Sequence, residues 1–339
     1  MHWTVAAPFN RPGDTWLTPF VPGEHTFEVV ARPGTELNWH ERRSAVSSPG
    51  EWWDYVRQAR RTLHRAGDGG IITVFPQLAA VVGALARTRR HDPPMVSWFF
   101  NTERYTGMRQ RAARLALAKV DRFVVHSEVE RRAFSAWLDV PIERCVFVPL
   151  QYGGEVPTDI VPDDDDPFVL AVGSGHRDFA TLFAALERLD YRTIVISSPR
   201  ALAGFTPPAC VEICEQVPRE EIRRLVQRAR VNAIPMTVDG VVGGTVTIVE
   251  TMRHGRAPII TRRDGVEDYV TNEVSGLLVD PYDVDGFTCA LERAWTDDAL
   301  RASIDSGARA FADANCTDAA AGRALGAILD ELAAERGRH

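Results

Sequence analysis

The chain has 339 residues, 45% hydrophobic and 25% charged, a length and balance that suit two globular domains. Its net charge of -7 speaks against a nucleic-acid partner, whose phosphates need a basic face. No window approaches the run of about 20 apolar residues that spans a bilayer, and Met1–Pro8 has neither a basic nor a long apolar region, so neither a transmembrane segment nor a signal peptide is expected.

Short apolar runs alternate with amphipathic stretches along the whole chain, the pattern of parallel α/β sheets. In the first half, strands are expected at Trp3–Ala7, Thr26–Val30, Ile71–Phe75, Met95–Phe100, Arg122–Val125 and Cys145–Val148. Helices are expected at Glu51–Arg65, Gln77–Arg87, Met108–Lys119 and Glu128–Leu138. A junction follows at about residues 151–167, with Gly153-Gly154 and the acidic run Asp163–Asp166. The second half predicts strands at Phe168–Val172, Thr193–Ser197, Val211–Cys214, Val231–Ile234, Pro258–Thr261 and Gly276–Val279. Its helices fall at Phe179–Arg188, Glu220–Ala229, Val246–His254 and Asp283–Thr296, with two Ala-rich helical stretches after them. The expected domains are 1–155, 156–315 and a C-terminal helix, 316–339, packing back on the first domain. Two such sheets facing each other would make one interdomain cleft, a usual place for a substrate.

The most informative segment runs from Val231 to Ile260 and reads as strand, glycine loop, helix, tight turn, strand. Gly243 and Gly244 allow close backbone approach, Thr245 is the expected N-cap, and Gly255 is expected to end the helix in a left-handed conformation. The free N–H groups and dipole at such a helix start, around Thr245 and Val246, suit a diphosphate. Glu250, more than one turn in, is placed to accept hydrogen bonds from a ribose diol. The same residues read equally as an ordinary βαβ unit with packing glycines and a solvated Glu.

The segment resembles the donor-binding motif of retaining family-4 glycosyltransferases of the GT-B fold. There a Glu-Gly-Phe-Gly loop precedes a Leu-Glu-Ala-Met helix that ends in Gly-x-Pro-Val; here Val249-Glu250-Thr251-Met252 and Gly255-Arg256-Ala257-Pro258 stand in those places. Arg263–Val270 and Gly276–Pro281 are similar to the family's next two segments, and Phe168–Gly173 to the strand that opens its donor domain. In the first half, Val120–Ser127 and Glu143–Pro149 follow the family pattern, so the resemblance covers about residues 115–297. It implies a GT-B architecture of two Rossmann-like domains. It also implies transfer of a sugar from a nucleoside diphosphate sugar to a hydroxyl acceptor, with retention and without a metal. The acceptor class stays open among small molecules, glycans and lipid-linked compounds.

The resemblance also assigns roles. The family carries two acidic residues with seven between them; the earlier falls at Val242, and Asp239 either substitutes for it or forms an Asp-Gly turn. An Arg/Lys pair follows the family's first donor-domain strand. Here the loop is Gly173-Ser174-Gly175-His176-Arg177-Asp178, and Arg177 becomes the phosphate contact unless it pairs with Asp178, with Arg192 or Arg262 next in line. Gly173, Gly175 and Val217 complete the expected donor-binding set, and Asn101 stands where the family's first-domain His contacts the sugar.

Other features carry less. The five cysteines, Cys145, Cys210, Cys214, Cys289 and Cys316, form no C-x-x-C pair, which suits a reducing cytoplasm. The histidines show no metal-binding spacing, and Asp163–Asp166 reads as a solvated linker, so no metal is expected. Ser127 reads as a helix cap. The loop Phe9–Trp16 and Trp39, Trp52 and Trp53 are candidates to stack on an acceptor or simply to pack, and the Arg-rich helix 108–119 suits either a membrane surface or solvent. Two rival functions remain: a nucleotide-sugar epimerase on the same scaffold, and a non-catalytic partner of another transferase.

Overall fold

The computed structural model describes residues 1–11, 13–33, 48–89, 92–154, 156, 165–238 and 243–337. Contacts divide the chain into two units, Met1–Val148 with Ala321–His339, and Pro149–Ala320. Each is built on a sheet of six parallel strands.

The first unit contains β1 (His2–Ala6), β2 (Thr26–Val30), α1 (Pro49–Ala66), β3 (Gly70–Val74), α2 (Pro76–Ala86), β4 (Met95–Trp98), α3 (Gly107–Leu117), β5 (Arg122–Val125), α4 (Glu128–Leu138) and β6 (Cys145–Phe147). The strand order is β2-β1-β3-β4-β5-β6. Side chains alternate between two cores, as the pleat requires. Ile71, Phe123 and Val125 join Tyr55, Leu63, Leu78, Val82 and Phe134 from the helices on one face. Ile72, Val74 and Val124 join Leu325, Ile328, Leu329 and Leu332 of the last helix on the other. Each such buried aliphatic contributes about 1.5–3 kcal/mol, so Leu329→Ala should cost roughly 2–5 kcal/mol. Ser127 caps α4, its hydroxyl accepting from the Glu130 N–H at 3.0 Å.

The second unit contains β7 (Val169–Val172), α5 (Phe179–Leu189), β8 (Thr193–Ile196), the short α6 (Pro199–Leu202), β9 (Val211–Cys214), α7 (Arg219–Arg228), β10 (Val231–Ile234), α8 (Thr245–Arg253), β11 (Pro258–Thr261), β12 (Leu277–Val279), α9 (Val284–Thr296) and α10 (Asp298–Asn315). The last helix, α11, runs Asp318–Arg336. The sheet order β12-β11-β10-β7-β8-β9 is the Rossmann order, with its topological switch between β7 and β10. Two Rossmann-like units of this kind make the GT-B fold. The twelve strands lie where the alternation of apolar runs puts them; α6, too short for a periodic signal, was not expected.

Candidate functional site

In an open α/β sheet the crevice for a ligand lies beyond the carboxyl ends of the strands flanking the switch point. Here those ends lead into the loop 173–178 after β7 and the loop that precedes α8 after β10. The two loops are zipped together. Arg177 and Met236 form an antiparallel bridge, Thr237 N–H donates to the His176 carbonyl at 3.0 Å, and Asp178 N–H to the Pro235 carbonyl at 3.2 Å.

Arg177 fills the gap between them. Its Nε and Nη2 donate to the Val172 carbonyl at 3.2 and 2.9 Å, and its Nη1 to the Gly175 carbonyl at 3.0 Å. Nη1 also meets Met236 Sδ at 2.8 Å, and Nη2 donates to Thr247 Oγ1 at 3.0 Å. Gly173, at φ 119°, is required twice over: its backbone is left-handed, and a Cβ there would collide with the guanidinium. A Cβ on Gly175 would meet nothing within 4 Å, so its contribution is the carbonyl. Asp178 is not the partner of Arg177. Its carboxylate caps α5, accepting from Thr181 N–H at 3.1 Å and the Thr181 hydroxyl at 2.6 Å.

Among the described residues no carboxylate pairs with Arg177. Burial, and then the nearby guanidinium of Arg263, bring its pKa down to about 10, so it stays charged at neutral pH. Arg263 is itself buried, and its Nη1 donates to the Thr237 carbonyl at 2.8 Å. A buried cation beside a like charge is unfavourable unless an anion shares the site.

The start of α8 adjoins this charge. Gly244, not Thr245, is the N-cap, in the left-handed region at φ 85°. The reason is steric: the chain turns sharply over Met236, which a Cβ on Gly244 would approach to 3.0 Å. Thr245 is therefore the first helical residue, and no side chain caps the helix. The first helical bond runs from Ile248 N–H to the Gly244 carbonyl at 2.9 Å. Among the described residues the N–H groups of Thr245, Val246 and Thr247 have no acceptor. Val246 is exposed and Gly243 partly so.

Glu250 is not a solvated surface residue; it is 9% exposed. Its Oε1 accepts from the Tyr152 hydroxyl at 2.9 Å and lies 3.9 Å from Arg223 Nε. The Arg223 guanidinium sits 5.5 Å from the centre of the Tyr152 ring, and the His254 ring meets that ring edge-on at 5.6 Å. His254 Nδ1 donates to the Glu250 carbonyl at 2.7 Å. Burial, then the charge of Glu250, push the Tyr152 phenol up to about 12, so it remains a donor. The α8 turn ends at Gly255 with φ 74°.

Arg177, Gly173, Gly175, Gly244 and the first turn of α8 are thus brought together, with Glu250 farther along the same helix. Among the described residues no hydrogen bond joins Val217 to them; it packs on the apolar cluster of Phe168, Leu170 and Val226. Asn101 belongs to the first unit, exposed beyond β4, and its side chain makes no hydrogen bond among the described residues. Arg192 pairs with Asp166 and Glu212, and Arg262 with Asp280 and Glu267, so both alternatives to Arg177 are already committed to carboxylates. Asp239, Val242 and Trp39 lie outside the described residues, as do Asp163 and Asp164.

Arg263, Tyr152 and Arg223 were not anticipated. Arg263 had a signal in parity: Thr261, two positions earlier, turns its hydroxyl to Met236 N–H at 2.9 Å, and the i+2 residue of an extended chain faces the same way. Tyr152 sits in the junction and is 98 positions from Glu250, a separation that no local pattern encodes.

Residues 169–297 match the family model of Glycosyl transferases group 1. The matched segment lies within the second unit. Among solved structures, the chain is similar to a sucrose-phosphate synthase from Thermosynechococcus elongatus, at TM-score 0.71 and 15% identity over 98% of this chain and 99% of that one. It is also similar to a glycosyltransferase from Rickettsia africae, at TM-score 0.69 and 12% identity over 97% and 98%. A third is Anabaena Alr3699/HepE in complex with UDP, at TM-score 0.68 and 15% identity over 98% and 100%. Comparison with curated proteins gives no match. Among the described residues, no helix is long and apolar enough to cross a membrane, and no group of three His, Cys, Asp or Glu is placed to hold a metal ion.

Proposed function

We propose that the chain transfers a glycosyl group from a nucleoside diphosphate sugar to a hydroxyl acceptor, with retention of configuration and without a metal. The observation that carries this reading is the buried guanidinium of Arg177, without a described carboxylate partner, at the uncapped start of α8. A diphosphate supplies the anion that this site lacks, bound by a guanidinium that can reach two oxygens and by N–H groups at the positive end of a helix dipole. Glu250 then accepts from the ribose hydroxyls. Alr3699/HepE has been solved with UDP and with UDP-glucose, which supports a donor of this class.

In the proposed reaction the sugar–phosphate bond breaks as charge builds on the departing diphosphate. Arg177 and the N–H groups of Thr245 and Val246 stabilise that charge. The acceptor hydroxyl attacks from the same face and passes its proton to a leaving phosphate oxygen, so no protein nucleophile is needed. Isothermal titration with UDP, GDP, ADP and TDP, followed by turnover of the sugar donor of the preferred base in excess chelator, tests the proposal. Micromolar binding of one diphosphate and chelator-resistant transfer are expected. Binding of none of the four would overturn the donor assignment; loss of turnover restored by Mg²⁺ would overturn the metal-free account; isomerised donor as product would favour an epimerase.

A further inference from the structure

Of the eleven residues of α3 only Leu117 is buried. Met108 is 77% exposed and Leu115 56% exposed. Seven positions apart, they share one face with Arg111 and Ala112 between them. The helix has no acidic residue, and the stretch Glu103–Leu117 holds four arginines, Arg104, Arg109, Arg111 and Arg114, against the single carboxylate of Glu103. Arg114 is used internally, donating to the Trp137 carbonyl at 2.8 Å and pairing with Asp139 at 3.4 Å. Among the described residues Arg104, Arg109 and Arg111 have no carboxylate partner, whereas Arg131 on the next helix pairs with Glu128.

The adjoining face of α3 borders a cavity of about 620 Å³. Ala113 and Leu117 of α3, Ala80 of α2 and Trp137 of α4 make its wall apolar. Trp52 and Tyr105, 42% and 38% exposed, also line it, with the Arg109 guanidinium 5.7 Å from the centre of the Tyr105 ring. Trp53, beside Trp52, is 56% exposed. Amphipathic aromatics and snorkelling arginines around an apolar opening are what the boundary between lipid headgroups and acyl chains favours.

We propose that the first unit docks on an anionic lipid bilayer through loop 103–107 and α3, with Met108 and Leu115 entering the acyl boundary and Arg104, Arg109 and Arg111 meeting lipid phosphates. Charge complementarity decides for a bilayer over a neutral apolar partner: two exposed apolar side chains are flanked by three cations that no described carboxylate pairs. The net charge of -7 lies elsewhere on the chain and does not cancel the local excess, since screening limits its reach to about 8 Å at physiological salt.

Co-sedimentation of the full chain with vesicles of phosphatidylcholine, with and without phosphatidylglycerol, tests this. Wild type should sediment with the phosphatidylglycerol vesicles, remain in solution with phosphatidylcholine alone, and be released by added salt. Arg109→Gln and Arg111→Gln should each weaken binding roughly fivefold, and Met108→Ser and Leu115→Ser roughly tenfold each. These surface positions should leave the melting temperature and nucleotide affinity unchanged, which checks folding and separates docking from the donor site. Wild type in the supernatant with both vesicles, equal binding to both, or four variants that bind like wild type would overturn the proposal. So would a dimer in sedimentation velocity that Met108→Ser dissolves, because the face would then belong to a second copy.

Discussion

The two sheets reverse their strand order once each, and the two reversals carry opposite chemistry. In the second unit the reversal lies between β7 and β10; the loop after β7 holds the buried guanidinium of Arg177, and Arg263, buried after β11, donates to the Thr237 carbonyl of the loop after β10. In the first unit it lies between β1 and β3, and the residues after those strands, Phe9 and Phe75, set their rings 6.0 Å apart. The row continues along the sheet, Phe75 to Phe99 at 5.7 Å and Phe99 to His126 at 4.5 Å. Phe75 and Phe99 hold positive φ, 71° and 57°, a strained backbone for bulky side chains that persists only where surrounding packing imposes it. The same position in the same kind of sheet therefore holds a buried guanidinium in one unit and a row of rings in the other. Topology fixes where a ligand can sit; the two or three residues after each strand fix what kind it is.

The largest expected effect tests whether the imidazole in this row stays neutral. His126 is buried with Nδ1 at 2.8 Å from the Val148 carbonyl, which can only accept, so Nδ1 carries the proton. Burial brings its pKa down from 6.5 to about 4. The unfolded chain therefore takes up a proton below pH 6.5 that the folded chain refuses, and this group's contribution, full above 6.5, is lost as pH falls toward 4. Its size is about 3 kcal/mol at the bottom of that window. Urea unfolding of wild type and His126→Asn across the window should show a shallower pH slope in the variant. Equal slopes would mean that His126 is charged and that the contrast between the edges is wrong.

On the cationic side, Arg177→Ala should lower kcat/KM by one to two decades, from the roughly 1.5–3 kcal/mol of a charge-assisted contact. The melting temperature should move less, since Arg177 sits beside Arg263 without a described counter-ion. An unchanged kcat/KM in a folded variant would remove Arg177 from the site and leave Arg263 as the cation to test. Glu250→Gln sharpens the same side. It keeps an oxygen for the Tyr152 hydroxyl but loses the charge and one acceptor, so nucleoside diphosphate affinity should fall roughly tenfold. Equal affinities by titration calorimetry would detach α8 from nucleotide binding.

Much of this was legible in the residues, for reasons that can be named. Strands buried on both faces read as apolar runs, and a glycine pair before an amphipathic helix reads as a phosphate-type turn, so β10, Gly244 and α8 were found together. Arg177 was singled out because the family resemblance calls for a cation in its loop, which offers one. The helix cap was misplaced by one residue because capping depends on backbone φ, which Thr245 and Gly244 do not reveal by composition alone. The surroundings of Glu250 were illegible because they come from three distant segments, at Tyr152, Arg223 and His254. Phe75 reads as the last and Phe99 as the next-to-last residue of an expected strand; their positive φ has no local sequence signal.

The smallest effect concerns Tyr152, which links the junction segment to Glu250. Its backbone N–H is fixed on the Cys316 carbonyl at 2.8 Å, and its ring is held between Arg223 and His254, so its hydroxyl has little freedom. A phenol raised to about 12 donates throughout the physiological range, and the hydrogen bond goes to Oε1 of Glu250. Oε1 is thereby occupied, and Oε2 is the oxygen left for a ribose diol in the proposed donor complex. Tyr152→Phe keeps the ring and the packing but frees the carboxylate to rotate. Affinity for the nucleoside diphosphate should then fall roughly threefold to tenfold, the size of one ordinary hydrogen bond. Affinity for the 2′,3′-dideoxynucleoside diphosphate, which has no hydroxyl for Glu250 to hold, should be the same in wild type and variant. A structural defect would weaken both nucleotides alike, and such a result would show that Tyr152 supports the fold of the second unit without orienting Glu250.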